Sequence, residues 1–177
     1  ADLSGELGFK VTKSDEPQIL IYHTHTTEAY MDDESQYYTD FDEFLKQDLD
    51  LVFVCTPNNV HAELCIAALN AGKNVMCEKP VTMSSEDLQE MIDASHKYNR
   101  IFTVHQNRRW DCDYRMMRTI YHSGELGEVF NVESRIQGSR GIPGDWRGKK
   151  EHGGGMILDW GVHLIDQMLG IIDDKKV

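Results

Sequence analysis

The sequence predicts an α/β fold: a wound parallel sheet, then the opening of a second, α+β unit built on a mostly antiparallel sheet. Two observations carry this. Between residues 50 and 106, three short apolar runs alternate with two segments of helical period, and the connections are short. Strands joined in this way lie parallel, because the intervening helix returns the chain to the same edge. After Trp110 the period changes, and residues 129–136 alternate apolar and polar side chains, as a half-exposed strand does.

The elements follow in order. Leu51-Val52-Phe53-Val54-Cys55 is a continuous apolar run rich in β-branched residues, expected as a strand buried on both faces, and Thr56-Pro57-Asn58-Asn59 breaks it. Residues 61–71 are good helix formers with apolar positions on one face, and Gly72 supplies a left-handed stop. Asn74-Val75-Met76-Cys77 is a second strand, ended by Glu78-Lys79-Pro80. Ser84 or Ser85 caps the next helix, with Glu86 and Asp87 in the first turn where the dipole favours anions. Ile101-Phe102-Thr103-Val104-His105 is the third strand. Beyond it, residues 114–122 read as a helix, and Gly153-Gly154-Gly155 precedes a mostly buried helix over residues 156–169. One strand and one helix cannot cover each other, so this second unit is expected to expose apolar surface, as a fragment would.

The 177 residues suffice for one domain or a little more, at about 100–200 residues each. Eighteen Lys+Arg against thirty Asp+Glu leave a net charge of -12, which argues against nucleic acid or an anionic membrane as the main partner. No apolar run approaches the ~18–20 residues of a membrane span, and the N-terminus lacks a signal-peptide pattern, so a cytoplasmic location is expected. The four cysteines, Cys55, Cys65, Cys77 and Cys112, contain no C-x-x-C and read as buried reduced thiols.

Ligands of wound sheets sit beyond the carboxyl ends of the strands. Those ends carry Thr56-Pro57-Asn58, Glu78-Lys79-Pro80 and Gln106-Asn107-Arg108-Arg109. Each alone is ordinary turn chemistry, but three on one edge suggest a site. Lys79, fixed between a strand end and a proline, can donate to a substrate oxygen and stabilise a developing alkoxide. Asp159 and His163, four apart on the expected helix, share a face. A carboxylate there can fix the imidazole tautomer and raise its basicity for removal of a hydroxyl proton, although a plain surface pair fits the same spacing. Trp146 and Arg147 offer an aromatic face and a fixed cation.

These motifs resemble the Gfo/Idh/MocA oxidoreductases, the glucose-fructose oxidoreductase and inositol dehydrogenase family. The resemblance rests on Thr56-Pro57-Asn58 with His61, Cys77-Glu78-Lys79-Pro80, Gly144-Asp145-Trp146-Arg147, and the run from Gly153 through Asp159 to His163, and it covers residues 38–177. It implies a partial Rossmann domain over 38–110 and a truncated substrate and oligomerisation domain over 111–177. It further implies NAD or NADP as cofactor and hydride transfer at a sugar or cyclitol hydroxyl. Under it, Lys79 binds the reacting hydroxyl, His163 is the general acid/base and Asp159 its partner. Thr56, Pro57, Asn58, His61, Glu78 and Lys79 line the cofactor, joined by Asn107, Trp146 and Arg147. The Lys79-Pro80 bond is expected to be cis. No resident metal is expected, and identical copies are expected to associate through the second sheet.

The family's G-x-G-x-x-G turn, whose amides hold a pyrophosphate at a helix N-terminus, is missing, since no glycine occurs between Gly8 and Gly72. Residues 1–37 resemble instead stage II sporulation protein P, a zinc-dependent peptidoglycan amidase. The strand-like Ile19-Leu20-Ile21-Tyr22 runs into His23, His25 and Glu28, the positions that resemblance gives to metal. The chain is therefore expected to be chimeric. Its alternative functions are a zinc amidase fragment, or a non-enzymatic assembly module.

Overall fold

The computed structural model describes residues 19–23, 40–138 and 144–172. Four strands form one sheet in the sequential order β1-β2-β3-β4: β1 Ile19–His23, β2 Leu51–Cys55, β3 Asn74–Cys77 and β4 Phe102–Val104. All neighbours are parallel. Ile19 stands opposite Leu51, Leu51 opposite Asn74, and Val75 opposite Phe102. The three strands expected between residues 50 and 106 are present. β1 adds a fourth by pairing directly along β2, so the segment expected to be foreign lies inside the sheet.

Three helices connect the strands: α1 Phe41–Leu45, α2 His61–Asn70 and α3 Ser85–Tyr98. Their ends follow local chemistry. Asp40 caps α1 by accepting from the Glu43 amide at 3.0 Å, and Ser84, not Ser85, caps α3 by accepting from the Asp87 amide at 3.1 Å. Gly72 follows α2 with φ +78°, the left-handed conformation that costs glycine nothing.

The core lies on one side of the sheet. Val52, Val54, Val75 and Cys77 meet Cys65, Ala68 and Leu69 of α2, Met91 and Ala94 of α3, and Phe44 of α1. β2 alternates between buried and half-buried side chains, which corrects the expectation of a strand buried on both faces. The described helices cover only the face bearing Val52 and Val54, leaving Leu51, Phe53 and Cys55 half-buried. Cys65 and Cys77 are buried reduced thiols, whereas Cys55 is half-buried and Cys112 is exposed. Burial was thus expected too broadly for the cysteines.

The second unit departs further from expectation. Helix α4 spans Cys112–Ser123, but residues 129–136 are irregular and Phe130 is 96% exposed. A strand requires a hydrogen-bonded neighbour, and among the described residues none lies alongside this segment. The part of the chain after α4 is mostly helical, with no antiparallel sheet among the described residues. The glycine-rich segment leads into a π turn, Ile157–Gly161, and then α5, Val162–Ile172. Of these, His163 and Ile171 are buried while Ile157 is 73% exposed, so the helix is far from mostly buried.

The helical run from Lys150 to Ile172 has the length and mean hydropathy of a membrane span, contrary to the sequence expectation. Its polar side chains are spent within the protein. Asp159 meets Lys79, Asp166 meets Arg109, and Gln167 donates to the Arg108 carbonyl at 3.0 Å. These contacts tie one side of the helix to the strand-end turns, while Ile157, Ile165 and Leu169 on it remain exposed.

Candidate active site

The carboxyl ends of β2, β3 and β4 open into a cleft of about 390 Å³. Thr56 and Asn58 come from the turn after β2, Glu78 and Lys79 from the turn after β3, and His105 from the end of β4. The second unit closes the cleft with Trp146, Arg147, Gly153, Gly154 and Asp159. Parallel strands deliver these side chains to one edge, as expected from the order of elements. The Lys79-Pro80 peptide is cis, as the resemblance implied.

Lys79 sits at the centre. Its Nζ donates to the Asp159 carbonyl at 2.7 Å and stands 3.4 Å from Asp159 Oδ1, with both side chains less than one-fifth exposed. Asp159 therefore pairs with Lys79, and no side-chain hydrogen bond joins it to His163. The expected Asp159–His163 pair assumed a regular α-helical register, which the intervening π turn interrupts. Glu78 is occupied similarly: Oε1 meets His105 Nδ1 at 2.6 Å, and Oε2 accepts from the Lys79 amide at 3.1 Å.

His163 is buried behind the cleft and is not among the residues that line it; its Nδ1 lacks a hydrogen-bond partner, and its ring lies edge-on to Trp160 with centroids 6.0 Å apart. Burial, then the Lys79 and Arg108 charges, lower its pKa to about 4. The imidazole is neutral near pH 7, the form able to take up a proton. Arg108 itself stacks on Trp160, 4.4 Å from the ring centroid, and pairs with Asp111 at 2.9 Å.

The other expected residues divide. Thr56, Asn58, Glu78, Trp146 and Arg147 reach the cleft wall. Asn58 also fastens the two units by donating from Nδ2 to the Gly153 carbonyl at 3.0 Å, and Asn59 Oδ1 meets His152 Nδ1 at 3.0 Å beside it. Pro57 precedes the short turn Asn58–Val60 and does not line the cleft. Asn107 is exposed in the turn Asn107–Trp110 and likewise stays outside. His61, expected against the cofactor, is instead fully buried beneath the two loops. Its ring nitrogens each face a loop carbonyl, which turns the side chain inward.

Sequence reasoning missed His105 and Arg108 as individual contributors. The available signal was their position at the carboxyl end of β4, where the Gln106-Asn107-Arg108-Arg109 cluster stood out as a group. Gly154 also acquires a specific reason: a Cβ there would collide with the Arg147 carbonyl and stand 2.7 Å from Lys149 backbone atoms. The turn carrying Trp146 and Arg147 can fold onto the glycine segment only because no side chain intervenes.

The cleft suits the nicotinamide end of a dinucleotide. Thr56 Oγ1 and Trp146 Nε1 are buried on its wall without hydrogen-bond partners, and buried polar atoms ordinarily have them. The indole N–H can only donate and the hydroxyl can do either, a set that matches a carboxamide and ribose hydroxyls. The described residues hold no glycine turn for a pyrophosphate. Among them, too, no cluster of three or more His, Cys, Asp or Glu is placed to hold a metal, while His25 and Glu28 of the zinc reading lie outside the described residues.

Comparison with known proteins agrees with this architecture. The oxidoreductase family model described as an NAD-binding Rossmann fold matches residues 12–106, and the Gfo/Idh/MocA C-terminal domain model matches residues 114–176. The first match takes in most of the segment assigned above to a sporulation amidase. Together with the pairing of β1 along β2, it removes the support for a chimera.

An NAD-binding protein from Listeria innocua shares 52% identity with a TM-score of 0.75, over 77% of this chain and 41% of that one. D-glucoside 3-dehydrogenase of Escherichia coli is 35% identical over 70% of this chain and 36% of its own length. The scyllo-inositol 2-dehydrogenase (NADP(+)) of Bacillus subtilis is 31% identical over 72% of this chain and 36% of its own. The chain thus spans roughly two-fifths or less of the relatives it matches. With a Rossmann-domain match over more than half of its residues and a second match following in order, the chain belongs to the Gfo/Idh/MocA oxidoreductase family.

Proposed function

We propose that the cleft is the reacting end of an NAD(P)-dependent oxidoreductase acting on a hydroxyl-bearing carbon of a sugar or cyclitol. The observation that carries this is the placement of Lys79 on the cleft wall, beside Asp159 and within electrostatic reach of a neutral His163. Similarity to dehydrogenases named for a glucoside and an inositol supports the substrate class.

Thr56, Asn58, Glu78, Trp146 and Arg147 would hold the cofactor, with Pro57 setting the first turn. When bound, the nicotinamide supplies the carbon that accepts or returns a hydride. The protein's own part is electrostatic and protonic. The Lys79 ammonium donates toward the reacting oxygen and stabilises negative charge there, while Asp159 keeps it aimed. The uncharged His163 imidazole takes the hydroxyl proton in oxidation and returns it in reduction. Trp146 and Arg147, whose guanidinium lies 4.6 Å from the indole centroid, cover the cleft from the second unit.

Among the described residues no glycine turn holds a pyrophosphate, and each charge-assisted amide bond that such a turn makes is worth about 1.5–3 kcal/mol. Titration of NADH and NADPH into the chain, read by nicotinamide fluorescence, tests the proposal. Saturable binding weakened about tenfold or more by Lys79→Ala is expected, the loss of one charge-assisted contact. No binding up to about millimolar cofactor, a free energy of only some -4 kcal/mol, would overturn it for this chain.

A further inference from the structure

Both ring nitrogens of His61 face carbonyl oxygens. Nδ1 is 2.9 Å from the Pro80 oxygen and Nε2 is 2.9 Å from the Thr56 oxygen, in a side chain with no exposed surface. Carbonyls only accept, and a neutral imidazole carries one N–H. One of the two contacts would then set a nitrogen lone pair against an oxygen lone pair at hydrogen-bond distance, without water to relieve it. An imidazolium satisfies both. We infer that His61 is a positioning residue whose protonated ring clamps the Thr56 turn to the Pro80 turn, so that the shape of the cleft depends on a buried proton outside it.

The consequence lies in what the two turns carry. The turn after β2 bears Thr56 and Asn58, and Asn58 holds Gly153 of the second unit. The turn after β3 bears Glu78 and Lys79, and Lys79 holds Asp159. One side chain at the start of α2 thereby fixes the spacing of two walls of the cleft. Loss of its second proton releases one carbonyl and lets the turns separate.

Burial, the largest influence, opposes the charge, while hydrogen bonding to the Cys77 sulfur and to the Pro80 and Thr56 carbonyls favours it, and the His61 pKa is raised above its ordinary 6.5. From β3 the Cys77 thiol faces the ring, with Cys65 of α2 beside that thiol. The Cys65 contact and burial push Cys77 well above the usual thiol range, so it remains a neutral S–H.

Ring-nitrogen NMR of the histidine-labelled chain, assigned by through-bond correlation to the backbone, tests this without cofactor and so independently of the proposed activity. At about pH 5.5, below even the ordinary value, both His61 nitrogens are expected to carry protons. Raising the pH should remove one of them with a midpoint above 6.5, and the backbone amides of Asn58 and Lys79 should shift with that same midpoint. A ring that is a neutral single tautomer at about pH 5.5, or that titrates below 6.5, would overturn the inference. So would a ring that titrates while neither turn responds. His61→Asn and His61→Gln, each able to reach one carbonyl, are expected to abolish the pH response of both turns. Because the wild-type titration stands alone, a variant that fails to fold leaves the test intact.

Discussion

Lys79, at the end of the third strand, donates to the main-chain carbonyl of Asp159 at 2.7 Å, eighty residues further along the chain. The carboxylate of the same aspartate lies at 3.4 Å. One ammonium group therefore joins the sheet edge to the π turn that opens the long helix. Both partners are largely shielded, so this contact counts for more than a surface pair.

Removing the two partners should have unequal effects. Asp159→Asn leaves the carbonyl acceptor in place and is expected to cost about 1 kcal/mol, whereas Lys79→Met loses both contacts and should cost about 2–3 kcal/mol. Urea denaturation of each variant checks the order. Equal losses would show that the carbonyl bond contributes nothing.

Acid should destabilise the chain through His163. Its native pKa near 4 lies below the ordinary 6.5, so across that interval the unfolded chain binds a proton that the native chain refuses. Stability from this group is complete above about pH 6.5, declines as pH falls, and has been lost by about pH 4. His163→Gln should flatten this limb of the stability profile. His61 acts with the opposite sign: its raised pKa gives stability present below 6.5 and lost as pH rises through the higher native value. Thermal unfolding from pH 4 to pH 9 reads both limbs.

Gly154→Ala is expected to lower stability by about 1–3 kcal/mol through overpacking. The added methyl group meets the Arg147 carbonyl and Lys149 backbone, so the turn bearing Trp146 and Arg147 must move. Tryptophan fluorescence should change along with the melting temperature. An unchanged spectrum and an unchanged melting point together would contradict the close approach.

Two methionines separate core from surface. Met91 has no exposed area, and its truncation to alanine should cost about 2–5 kcal/mol by leaving a cavity. Met116 is 64% exposed, and Met116→Ala should stay within about 0.5 kcal/mol of the parent. Paired denaturation curves decide the point.

What could be read in advance followed from local chemistry. Runs such as Leu51–Cys55 and caps such as Ser84 encode their elements through neighbours a few residues away, and parallel order then placed Thr56, Glu78 and Lys79 on one edge. The failures were tertiary. The alternation of residues 129–136 requires a partner strand that the described residues do not supply. The Asp159–His163 spacing presumed an α-helical register, and nothing in Ile157-Leu158-Asp159-Trp160-Gly161 announces a π turn. His61 looked like a site residue because it sits beside Thr56-Pro57-Asn58, yet its role depends on the Pro80 carbonyl, nineteen residues away. The missing glycine pattern suggested a foreign N-terminal segment, but the strand there is accepted into the sheet through backbone hydrogen bonds, for which the side-chain motif carries no information.

If the strand-end cleft receives the nicotinamide end of the cofactor, amide NMR of the chain titrated with reduced nicotinamide mononucleotide should locate it there. That ligand lacks the adenylate half, so contacts to a pyrophosphate cannot decide the result. Saturable shifts concentrated at Thr56, Asn58, Lys79 and Arg147 are predicted, and they should disappear in Lys79→Ala. No saturable shift, or shifts confined to the far end of the sheet, would mean that the cleft does not hold the nicotinamide.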